Sequence, residues 1–404
     1  MSKKSLATNS MSKLLFLIVL LVAVGQMTQT MYVPAIPEMS HFFSVQSSYL
    51  QGIMAAYLLS YGLSQFVYGP LSDRIGRRPV ILIGMVVFLV GSVITIFSGN
   101  FEWLLIGSFV QGCGTGCGGA MSRTVTRDCY NGRDLHRANS FISMGVIFSP
   151  LLAPIVGGLL SSHLGWRYCY GFLFLFGVVV TIAMLGWFGE TLPDSRRHKA
   201  RALDSYRYVF SNRHFQAYVL CLIATFSGVA AFEAAAGVLL GSVLKLSPTT
   251  VSILFILPLP GYLAGSWLSS SLVQRIGSIR VLWLGLCAIA SGSILIIIPG
   301  LAGLVTVDTL IGGAFLYFLG AGILFPAATT AAIEPFPNHA GTAGAILGGV
   351  QNLGAGLATL AASLMHARSQ FSLGVILCVM CILVVCSLLM IRKQSQKEAS
   401  ILAL

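Results

Sequence analysis

Charged side chains are scarce in this chain, at 9% of 404 residues, where a soluble domain carries roughly 25%. With 56% hydrophobic residues and a mean hydropathy of +0.86, such a chain aggregates unless lipid is its solvent. An integral membrane protein remains, with no room for a soluble catalytic domain. The nine cysteines fall mostly inside apolar runs and form no obvious pair in outer loops, which argues against a disulfide framework. Cys378 and Cys381 share the last apolar run and read as small buried residues rather than a redox or metal pair. No stretch presents paired acids, a nucleophile with a base, or metal-spaced histidines; His41, His163, His198 and His339 are scattered near loops. A membrane-embedded enzyme is therefore disfavoured, and neither metal nor cofactor is expected.

A spanning helix needs about 20 apolar residues. Twelve runs qualify, near 13–35, 47–69, 79–98, 102–122, 140–161, 168–188, 215–239, 248–270, 280–299, 304–327, 340–363 and 371–391. Lys3, Lys4 and Lys13 precede a first run too long for the core of a cleavable signal. Assigning loops to alternate sides puts 21 of the 24 basic residues on one side, leaving Arg167, Lys245 and Arg368 on the other. The positive-inside rule then predicts both termini in the cytoplasm. The +12 net charge is thus topological and implies no nucleic-acid partner. The expected fold is all-α and membrane-spanning, twelve helices in two pseudo-symmetric six-helix bundles. Residues 1–189 form the first bundle, 190–214 a basic connection suited to anionic lipid, and 215–404 the second bundle with a short tail. A weak repeat supports the division: Arg74-Ile75-Gly76 recurs as Arg275-Ile276-Gly277, each between its half's second and third spans.

Several residues stand out against this apolar background. Gly69-Pro70-Leu71-Ser72-Asp73-Arg74-Ile75-Gly76-Arg77-Arg78-Pro79 joins the second and third spans, with its charges outside the lipid. Gln26 and Gln29 share a face of the first span, which Pro34 and Pro37 are expected to end. That face looks inward, either to a helix–helix hydrogen bond or to a cavity. Tyr57, Tyr61, Gln65 and Tyr68 form one helical stripe, and Tyr57 and Tyr61 are expected to line a cavity and stack on a ligand. The fifth span carries Pro150, Pro154, Gly157 and Gly158, a bent, small-faced helix fit for a hinge. In the eighth span Phe255 precedes Pro258 and Pro260, where the helix is expected to bend. The sharpest anomaly is Glu233, an acid deep in the seventh span with no basic residue near it in sequence. An intramembrane acid is functional by default, so Glu233 is a candidate for proton exchange or for holding a cationic ligand.

The loop from Gly69 to Pro79 resembles the one between spans two and three of the major facilitator superfamily of secondary transporters. The resemblance implies a cytoplasmic gate latch built on Gly69, Asp73, Arg74, Gly76, Arg77 and Arg78, whose charges exchange partners as the halves rock. Gln111-Gly112-Cys113-Gly114 resembles the family's fourth-span motif, with Ser108 where an arginine is usual and Arg123 unassigned. The fifth span is similar to the antiporter motif, with Ala153 replacing one glycine, and Glu334 to Gly344 resembles a signature of the bicyclomycin/chloramphenicol (Bcr/CflA) drug:proton antiporters. What the resemblance implies is a monomeric antiporter of the bacterial inner membrane, exporting lipophilic or amphipathic compounds against protons. A permease for one polar metabolite is the alternative, and it would need more directed polar groups in the central spans than this chain offers.

Overall fold

Lipid offers no hydrogen bond to an exposed amide, so a spanning backbone must satisfy itself. The computed structural model describes residues 3–130, 132–192, 202–336, 340–365 and 369–402, and their regular structure is helical throughout. The helices are α1 (Lys3–Thr30), α2 (Ile36–Phe43), α3 (Gln51–Ile75), α4 (Arg77–Ile96), α5 (Phe101–Cys129), α6 (Gly132–His163) and α7 (Arg167–Trp187). A short α8 (Ala202–Phe210) follows, then α9 (Arg213–Ala236), α10 (Pro248–Ile256), α11 (Leu259–Ile276), α12 (Ser278–Leu301), α13 (Val307–Ile333), α14 (Ala340–Leu364) and α15 (Phe371–Leu402). Among the described residues, nine segments are individually long and apolar enough to cross a bilayer. The long helices α3, α5 and α6 complete the twelve spans; they carry many of the glutamines, glycines and prolines picked out above. Paired in order, α1–α2 is the first span, α9 the seventh and α10–α11 the eighth. An even number of passes returns the chain to one face, here termed the terminal face.

Three details differ from expectation. Pro34 and Pro37 do not end the first span: they occupy the opening turns of a 3₁₀ segment, Val33–Ala35, and of α2. A proline there loses no hydrogen bond, because the first turn's N–H groups have no partner within the helix. The last helix continues well past 391, to Leu402. The central connection contains α8, whose Tyr206 ring lies 6.2 Å from Phe66 on α3 while Tyr208 lies 6.0 Å from Phe336 beyond α13. Its basic residues 196–201 lie outside the described residues, as do Pro337, Asn338 and His339. The eighth span does break at its prolines, between α10 and α11.

Glycine sets how the spans pack, since apolar helices gain little from meeting each other in lipid except close contact. A β-carbon on Gly84 would stand 2.8 Å from the Gly114 carbonyl; one on Gly285 would stand 3.2 Å from that of Gly320. These two glycines are 201 residues apart, like Gly76 and Gly277. Those last two join α3 to α4 and α11 to α12 at φ +103° and +84°, a region that disfavours any side chain. The repeat is thus backbone geometry as well as sequence.

The halves meet along α3 and α14, where a β-carbon on Gly62 would fall 2.7 Å from the Gly349 carbonyl and 2.9 Å from the Leu353 amide. Overpacking of this kind costs about 1–3 kcal/mol. Gly62→Val should therefore lower the thermal midpoint of the purified protein by several degrees, measured by size-exclusion after heating. Gly171→Ala, where nothing lies within 4 Å, should leave it unchanged.

Candidate functional site

At the terminal face, the charged loop folds around Arg77. Its guanidinium donates to Asp73 Oδ1 at 2.5 Å, Asp128 Oδ2 at 2.9 Å and the Ser72 hydroxyl at 2.7 Å. The Arg77 side chain is only 6% exposed, so two carboxylates offset the burial of one cation. Arg78 donates from its side chain to the Leu185 carbonyl, and the start of α4 is capped from afar. Glu190 accepts the backbone N–H of Arg77 at 2.9 Å and of Arg78 at 3.2 Å. Of the predicted latch residues, Asp73, Arg77 and Arg78 come together, Gly69 and Gly76 shape the backbone, and Arg74 is exposed. Sequence reasoning missed Asp128 and Glu190, whose only signal was an acid at the terminal end of a neighbouring span. The guanidinium partners Asp73, Ser72 and Asp128 all lie in the first half.

Deeper in, Glu233 lies twenty residues past the start of α9, about 30 Å along a helix rising 1.5 Å per residue. It is 7% exposed, and Gln29 Nε2 donates to its Oε2 at 2.7 Å. That bond joins the first span to the seventh and so crosses between the halves. Phe232 beside it stands 6.3 Å from Phe255 and 5.6 Å, edge to face, from Phe318, giving an apolar wall on the second half. Gln26 is half-buried on the same turn of α1 as the carbonyl of Gly25. The Tyr57 hydroxyl donates to that carbonyl at 2.7 Å and lies 2.8 Å from the Thr115 hydroxyl, so it ties three spans of the first half together. Tyr61 follows at 5.9 Å between ring centres. The structure therefore joins Gln29 to Glu233 and Phe255 to Phe232, while Tyr57 and Tyr61 lie one layer nearer the terminal face.

Beyond Glu233 the halves are in tight contact. α9 widens into a π-helical turn, Gly237–Val243, a form frequent beside functional sites. There a β-carbon on Gly237 would press on the Val33 carbonyl and lie 2.6 Å from Ile36 Cδ1, and one on Gly241 would lie 2.7 Å from Pro37 Cγ. On the other flank, Ser252 on α10 donates to the Pro154 carbonyl at 2.7 Å. Gly158 faces Pro248 and Ser252, Gly157 faces Met31, and Pro150 lies half-buried one turn earlier. The fifth-span glycines thus let α6 press on the first and eighth spans at the face opposite the termini. Ser252 carried no sequence signal.

Glu190 gives a pH test outside the membrane. Partial burial works against its charge, but the N–H groups of Leu192, Arg77, Arg78 and Thr191 outweigh it and hold the carboxyl below its ordinary range. A carboxyl depressed on folding adds stability that is complete above the ordinary pKa, about 4.3, and is lost as pH falls through the folded value. Glu190→Gln should lower the thermal midpoint at pH 7, and the gap from wild type should narrow steadily below pH 5; a pH-independent gap would contradict this account.

A family model described as Major Facilitator Superfamily matches residues 18–242 and 219–402. The chain is 46% identical over 373 residues to Multidrug resistance protein D of Escherichia coli (strain K12), covering 92% of this chain and 94% of that protein. It is 25% identical over 342 residues to a Bicyclomycin resistance protein homolog of Haemophilus influenzae, covering 83% and 85% of the two chains. Among solved structures, a bacterial homolog of the human lysosomal transporter Spinster, inward-facing and unoccupied, aligns with a TM-score of 0.75. That alignment covers 97% of this chain and 99% of the other at 15% identity, a likeness of fold. With the family model matching both halves and a relative this similar over nearly the whole length, the chain belongs to the Major Facilitator Superfamily.

Proposed function

We propose that this protein is a proton-coupled multidrug efflux antiporter, exporting lipophilic or amphipathic compounds across the bacterial inner membrane by alternating access. The observation that carries the proposal is a buried acid, Glu233, held from the other half of the molecule by Gln29. The identity to Multidrug resistance protein D supports the cargo class. The basic bias makes the terminal face cytoplasmic, so the tight contacts beyond Glu233 close the path outward.

Cargo enters from the cytoplasm or the inner leaflet and loses apolar surface against Phe232, Phe255 and Phe318. A cationic end is drawn to the Glu233 carboxylate. Opening outward parts the Gln29–Glu233 and Ser252–Pro154 hydrogen bonds. Interhelical bonds of this kind in membranes are worth about 0.6–2 kcal/mol each, so cargo binding suffices to shift the balance. A proton from outside then neutralises Glu233, cancels its hold on the cargo, and removes the charge that would oppose the return. One charge crossing the membrane supplies about 2.3 kcal/mol per 100 mV. The Asp73–Arg77–Asp128 cluster sets the terminal-face arrangement that must re-form each cycle. The protein works as a monomer, with no cofactor.

The test is pH-gradient-driven transport of tetraphenylphosphonium by everted vesicles. Glu233→Gln should abolish cargo-induced proton release while the variant still inserts in the membrane; undiminished coupled transport would remove Glu233 from the mechanism. Asp73→Asn should slow turnover about tenfold or more with cargo affinity nearly unchanged, and the opposite split would refute a latch.

A further inference from the structure

The cycle above leaves one charged side chain without a task. Arg123, on α5 toward the terminal face, has no carboxylate partner among the described residues, and the acids Asp73 and Asp128 are both engaged by Arg77. Its guanidinium donates one N–H across to the Gly344 carbonyl on α14. A guanidinium carries five donors, so the rest of the fork remains available. The residue is exposed, so those donors are accessible. One turn before it on α5, a β-carbon on Gly119 would lie 2.9 Å from the Gln65 amide nitrogen and 3.0 Å from the Tyr61 ring. Across the space, a β-carbon on Gly348 of α14 would lie 2.7 Å from Gln65 Oε1 and 2.9 Å from an Arg123 nitrogen. Arg123, Gln65 and Tyr61 therefore come together beside Gly119 and Gly348.

Donors outnumber acceptors among the groups there. Neither the Tyr61 hydroxyl nor the Gln65 amide has a hydrogen-bond partner among the described residues. A guanidinium fork, a phenol and an amide, with no acid among them, match an oxyanion, whose oxygens accept from all three. At Gly344 a β-carbon would lie 3.8 Å from Arg123 Cδ, so the backbone of α14 keeps only ordinary contact distance from the guanidinium there.

We propose that Arg123, Tyr61 and Gln65 form an oxyanion site that takes the carboxylate or phosphate head of an amphiphile entering at the terminal face. It deepens the transport reading, on which it rests for the claim that amphiphiles enter here at all. Glu233 favours cations and repels acids; a site of opposite sign nearer the entrance gives the same protein a way to recognise acidic amphiphiles. All three groups belong to the first half, and Arg123 also donates to α14, so an oxyanion bound there competes for the guanidinium that joins the halves.

The experiment is equilibrium binding of radiolabelled laurate and of dodecyltrimethylammonium to the full-length protein in phosphatidylcholine nanodiscs. Arg123→Gln should weaken laurate at least about tenfold, as loss of a charge-assisted donor does, and Arg123→Lys should recover part of it. Dodecyltrimethylammonium should bind all variants within about twofold of wild type. Gln65→Leu, which keeps the cation, should weaken laurate by about threefold or more and stands in if Arg123→Gln fails to fold. Adding phosphatidylglycerol distinguishes the source of the head group: competition with laurate identifies lipid phosphate, and its absence a cargo carboxylate. Equal laurate affinity in wild type, Arg123→Gln and Gln65→Leu would overturn the site. Failure of the Glu233 reading would look different: dodecyltrimethylammonium binding would then be indifferent to Glu233→Gln, with the laurate results unaffected.

Discussion

A carboxyl group in hydrocarbon persists only where something holds it, and here the holder belongs to the other half of the chain. Gln29 and Glu233 meet from the first and seventh spans, which occupy corresponding places in the two six-helix bundles. Whatever changes the charge of that carboxyl changes a bond between the bundles, and whatever moves the bundles changes the surroundings of the acid. The aromatic wall at Phe232, the widened turn after Ala236 and the close fit of Gly237 and Gly241 all build outward from this one contact. In the proposed cycle coupling requires no relay of residues, because the two events share an atom.

The interface between the halves uses different physics at its two ends. Beyond Glu233 it consists of backbone pressed on backbone or proline, at Gly157, Gly158, Gly237 and Gly241. Such contacts fall off steeply with distance, so this end is either closed or not. Toward the termini the contacts run through side chains: Arg123 donates to Gly344, and the rings of α8 lie against both halves. Hydrogen bonds and ion pairs near water exchange partners with little loss. A gate that must admit varied cargo from one side while sealing against leakage on the other is well served by that division.

The twelve spans were legible because lipid imposes composition, and the charged loop because four charges in a short apolar gap have nowhere else to go. The repeat of Gly76 at Gly277 was legible for the same reason, since only glycine suits both joints. What sequence hid was pairing at a distance. Asp128 and Glu190 reach Arg77 from 51 and 113 positions away, and nothing local marks them. The tyrosine stripe on α3 is buried, and periodicity cannot say that the Tyr57 hydroxyl is taken by the Gly25 carbonyl while that of Tyr61 is not. Pro34 and Pro37 looked like terminators because composition does not reveal whether a proline sits before or within a first turn.

The small helix between the bundles bears on how the protein is made. α8 precedes the second bundle in the chain, and its Tyr206 already rests on Phe66 of the first. During synthesis the first bundle is finished before the second begins, and α8 is the earliest later segment with a place waiting for it there. Only Ser211 and Asn212 separate α8 from α9, so a lodged α8 keeps the start of the seventh span beside the half that preceded it.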